Sequence, residues 1–90
     1  MENLINHAIE KIIQLCENEE YSIALKICQQ AIKVNPFKAE VWYLSGICNL
    51  KLGEKENSLD CFAQAEINTN IEENKQLARK QISLIKNESI

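Results

Sequence analysis

Moved 34 residues along itself, the chain meets its own pattern. Ile13 falls on Ile47, Glu20 on Glu54, Leu25 on Leu59, Gln30 on Gln64 and Ala31 on Ala65. Similar residues pair at Ile9/Tyr43, Ala24/Ser58 and Cys28/Phe62. A lag of this length is the size of one helix-turn-helix unit, which cannot bury its apolar face alone and must stack on a neighbour. The 90 residues hold two such units and a terminal helix, about one domain. Apolar residues agree: Ile5, Ile9, Ile12, Ile13 and Cys16 recur at three- and four-residue steps, as do Ala24, Ile27, Cys28, Ala31 and Ile32.

Punctuation divides the units. Asn3 is the expected cap of a first helix over residues 4–17, and Asn18 its expected left-handed exit. A second helix over 20–34 stops at Asn35-Pro36, because the residue before proline disfavours helical geometry. A third spans 37–52 and ends at Gly53, and a fourth spans 55–67. Thr69-x-x-Glu72 and Asn70-x-x-Glu73 both read as capping boxes for a fifth helix over 71–87, with Leu77, Ala78, Ile82, Leu84 and Ile85 on its buried side. Strand signals and Asn-Gly or Asp-Gly turns are absent, so an all-α chain of five helices is expected.

Charge and composition narrow the function. Thirteen acidic and ten basic residues give a net charge of −3, which argues against non-specific nucleic-acid binding. The longest apolar run, Val41-Trp42-Tyr43-Leu44, is too short for a bilayer, so no membrane insertion is expected. The chain opens on no signal-peptide pattern, and a soluble cytoplasmic protein is expected. No nucleophile has an adjacent histidine and no glycine-rich loop is present, so neither an enzyme nor a cofactor is expected. Cys16, Cys28, Cys48 and Cys61 include no Cys-x-x-Cys pair and lie inside helical patterns, which reads as packed thiols rather than a metal site or a disulfide framework. His7 is expected to be a solvated residue without an acidic partner at helical spacing.

Trp42-Tyr43-Leu44-Ser45-Gly46, Leu52-Gly53, Ser58, Phe62 and Ala65 resemble one tetratricopeptide repeat (TPR). Tyr21, Ala24, Ala31 and Pro36 resemble the preceding unit. The resemblance covers a first repeat over about 5–38 and a second over about 39–70, and the last helix is similar to the solvating helix that closes many TPR arrays. It implies a single α-α superhelical domain. Asn49, Ile12, Glu66 and Asn70 depart from the family pattern. Glycine inside a helix costs ~1 kcal/mol against alanine. Gly46 therefore marks a close helix approach with Ser58 opposite, while Trp42 is expected to fill the seam between units.

The resemblance also implies a concave groove lined by the first helix of each unit: Asn6, Ile9, Ile13, Cys16 and Glu17, then Glu40, Tyr43, Leu44, Ile47, Leu50 and Lys51. Members that hold acidic chain ends use a lysine and asparagine clamp; Ile9, Ile13 and Leu44 stand at those positions here. What is left is an apolar strip of Ile9, Ile13, Cys16, Tyr43, Leu44, Ile47 and Leu50 with acidic edges, suited to an amphipathic helix or an extended apolar peptide of a protein partner. The competing expectation is that the fifth helix covers part of the strip. Two functions follow: an adaptor, assembly factor or small chaperone, or a structural subunit that homodimerises or sits permanently in a complex.

Overall fold

The computed structural model describes residues 2–88. Five helices follow one another: α1 (Glu2–Glu17), α2 (Tyr21–Val34), α3 (Ala39–Lys51), α4 (Lys55–Asn68) and α5 (Glu72–Glu88). No strand occurs among the described residues, so the all-α reading holds.

The 34-residue lag reappears in the backbone. At the end of α1 the Glu20 N–H donates to the Leu15 carbonyl at 2.8 Å and the Glu19 N–H to Cys16 at 3.0 Å. At the end of α3 Glu54 donates to Asn49 at 2.8 Å and Gly53 to Leu50 at 3.1 Å. Both are Schellman closures, in which the last carbonyls of the helix find donors just beyond it. Residue pairs 34 apart make equivalent bonds. Each closure needs one left-handed residue, supplied by Glu19 at φ 61° and Gly53 at φ 82°. The expected exit at Asn18 is therefore displaced by one residue: register fixes the left-handed position on Glu19, although asparagine tolerates that conformation better.

Other boundaries shift for local reasons. The first turn of α1 starts ahead of Asn3, which sits inside the helix rather than capping it. Asn35 Oδ1 accepts the Phe37 N–H at 3.0 Å, an Asx-turn that competes with helix. As a result α3 starts at Ala39, with Lys38 extended before it. Neither capping box forms, because Thr69 Oγ1 accepts from Ile71 at 3.2 Å and the Ile71 carbonyl opens α5 by accepting from Asn74 and Lys75.

Packing is mainly between successive helices, with a smaller contact of α1 with α3. Ile5, Ile12 and Leu15 of α1, Ala24, Cys28 and Ala31 of α2, and Val41 and Cys48 of α3 form one buried cluster. The expected close approach is present. Ser58 Oγ donates to the Gly46 carbonyl at 2.9 Å, and a Cβ at Gly46 would lie 2.7 Å from the ring of fully buried Phe62. Trp42 is only half-buried, and its Nε1 donates to the Pro36 carbonyl at 2.7 Å. The indole therefore braces the α2–α3 connection, and Phe62, not Trp42, is the largest fully buried side chain. On α5, Ala78 and Ile85 are buried and Ile82 half-buried, but Leu77 and Leu84 are about half exposed. A terminal helix packed on one neighbour buries a narrow stripe, and these two leucines fall beside it.

Candidate functional site

A cleft of about 210 Å³ lies between α1, α3 and α5. Ile9 and Ile13 line it from α1, Tyr43 and Leu44 form much of its floor on α3, and Leu77 and Asn74 line it from α5. Ala39, Glu40 and Ala65 complete the lining. The walls are almost wholly apolar, and Glu40 is the one carboxylate in the lining.

Helix geometry places these groups. Ile9 and Ile13 are one turn apart on α1, so both project from one face. Ile9 is half-buried against the core, whereas Ile13 is 43% exposed. Tyr43 is fixed twice: its ring meets Phe62 edge-on, centroids 5.2 Å apart, and its hydroxyl oxygen accepts from Gln81 Nε2 on α5 at 3.3 Å. That bond ties α5 to the strip at Tyr43, while Asn74 and Leu77 of α5 line the cleft.

Four of the seven expected groove residues, Ile9, Ile13, Tyr43 and Leu44, meet in the cleft. Ile47 and Leu50 are half-buried on α3 and do not line it. Cys16 turns toward the core, its Sγ 3.5 Å from Cys48 Sγ. Leu77, expected on the buried side of α5, instead lines the cleft at 49% exposure, beside Asn74, which carries no apolar signal in the sequence.

The four cysteines are free thiols, three buried and Cys16 half-buried. Burial, the hydrogen bond with Cys48 and the nearness of its charge push the Cys16 thiol up to about 12. Cys48 is raised further, first by its hydrogen bond to Cys28 and then by burial. Burial also raises Cys61, against donation from Ser45 and Asn49 to its sulfur. These are protonated thiols at neutral pH. No group of three or more metal-ligating side chains occurs among the described residues. Nor is any described helix long and apolar enough to cross a membrane. His7 is exposed, but Glu10 lies three residues on with its carboxylate 4.0 Å from Nδ1, so it does have an acidic neighbour.

Comparison with protein-family profiles, with curated proteins and with solved structures returns no match.

Proposed function

We propose that this chain is a protein-interaction module of TPR type, an adaptor, assembly factor or small chaperone, that takes an apolar segment of a protein partner into the α1–α3–α5 cleft. One observation carries the reading: an apolar cleft of about 210 Å³ with Ile13 and Leu77, 43% and 49% exposed, on its walls. Cavities of ~150 Å³ with apolar walls hold a benzene-sized group, so this one accommodates a large aliphatic or aromatic side chain. The 34-residue lag, Gly46 against Phe62 and the paired helix closures support the TPR resemblance. The reading places the module in the cytoplasm and assigns it no catalysis, cofactor, nucleic acid or membrane insertion.

The test is direct binding to a displayed library of amphipathic peptides. Ile13→Lys and Leu77→Lys alter exposed walls and are expected to stay folded by circular dichroism. Each is expected to lower affinity at least tenfold, ~1.4 kcal/mol, because a charge enters an apolar site. Folded variants that bind as well as the parent would refute the cleft. The alternative, a structural subunit that pairs with its own copy through this strip, predicts a dimer in sedimentation that the same substitutions dissociate.

A further inference from the structure

Cys16 on α1 is the most exposed of the four cysteines, half-buried where the others are buried, and its Sγ lies 3.5 Å from that of Cys48 on α3. The pair is 32 residues apart in sequence, and the Cys48 thiol also hydrogen-bonds Cys28 on α2. We propose that Cys16 and Cys48 are a pair placed to close into a disulfide under sustained hydrogen peroxide, stapling α1 to α3.

Access divides the labour. Solvent reaches Cys16, whereas Cys48 is 0% exposed and cannot meet an oxidant directly. The Cys16 sulfur attacks one oxygen of hydrogen peroxide: the O–O bond breaks, a hydroxyl stays on the sulfur as a sulfenic acid, and the other hydroxyl leaves with the Cys16 proton as water. The Cys48 sulfur then attacks the Cys16 sulfur. The S–S bond forms, the S–O bond breaks, and the hydroxyl departs with the Cys48 proton as a second water. Two electrons pass from the thiols to one peroxide. Closure brings the sulfurs from 3.5 Å to ~2.05 Å, a movement within the reach of two side chains already in contact. The Cys61 sulfur is engaged instead by Ser45 Oγ at 3.3 Å and Asn49 Nδ2 at 3.6 Å. A thiol that resists ionisation reacts slowly, so the pair ignores traces of oxidant and responds to sustained peroxide. The staple joins one wall of the cleft to its floor, yet it forms whether or not the cleft binds a partner.

The experiment exposes the reduced, folded full-length chain to hydrogen peroxide, blocks residual thiols and maps peptides by mass. The expected product is monomeric, lighter by two hydrogens, and linked Cys16 to Cys48. Its melting temperature is expected to rise by at least ~5 °C and to return with dithiothreitol. Cys16→Ser should abolish the link and the rise in melting temperature, while Cys28→Ala should leave both intact. A Cys28–Cys48 link, only intermolecular links, a sulfinic acid at Cys16 without a disulfide, or closure only in denaturant would each overturn the proposal.

Discussion

Ser58 on α4 donates its hydroxyl to the main-chain carbonyl of Gly46 on α3 at 2.9 Å, both residues being buried. A serine this small lets α4 approach until the Phe62 ring covers Gly46 where a side chain would stand. Glycine is therefore kept at position 46 for closeness, not for backbone freedom.

Gly46→Ala is expected to destabilise. The new Cβ would sit 2.7–2.9 Å from three ring atoms of Phe62, and that ring is fully buried and braced by Tyr43. Overpacking costs ~1–3 kcal/mol, against ~1 kcal/mol recovered in helix propensity, so a net loss of up to ~2 kcal/mol is expected. A lower urea midpoint at unchanged slope checks it. Adding Phe62→Leu should relieve the clash, giving a coupling in the double-mutant cycle.

The two helix closures give opposite expectations. Glu19 holds φ 61° with a full side chain, so Glu19→Gly should raise stability by ~0.5–1 kcal/mol, and thermal melting would show it. Gly53→Ala at the equivalent position should cost about as much, although a Cβ there meets open space, because φ 82° strains alanine. Equal and opposite shifts would identify the strain as conformational.

Gly53 was legible as a helix end and Glu19 was not, for one reason. Residue type marks a left-handed corner only when glycine fills it; elsewhere hydrogen-bond register decides. Gly46 and Ser58 were legible because an interior glycine needs a cause. Trp42 misled because size alone does not say which side of a helix is covered. The cleft floor could be read from α3, but its second wall could not. Leu77 and Leu84 precede Ala78 and Ile85 by one residue each, a rotation of ~100° on a helix, and which stripe turns inward depends on the neighbour. The Cys16–Cys48 contact joins two units and leaves no local mark.

Trp42→Phe keeps an aromatic body and removes the bond to the Pro36 carbonyl. One net hydrogen bond is worth ~0.5–1.5 kcal/mol, so a modest loss in chemical denaturation is expected. A loss beyond ~3 kcal/mol would mean that the indole is a core residue.

Stability is expected to fall at alkaline pH. Cys16 is moved from 9.0 to about 12 in the folded chain, and Cys48 and Cys61 are raised too. Below pH ~9 both states keep these protons and the contribution is complete; above it the unfolded chain releases them first, and the contribution drains away up to pH ~12. Urea midpoints at about pH 8 and about pH 10 measure the loss, and Cys16→Ser should make it smaller.

Because packing runs chiefly from each helix to its successor, most contacts close a short loop of chain. Chains dominated by local contacts fold in microseconds to milliseconds. A ribosome would release α1 and α2 as a pair able to associate before α3 is made, and each later helix would find its docking face already assembled. Stopped-flow refolding would then be complete within a few milliseconds, leaving little time for the apolar strip to meet another unfinished copy.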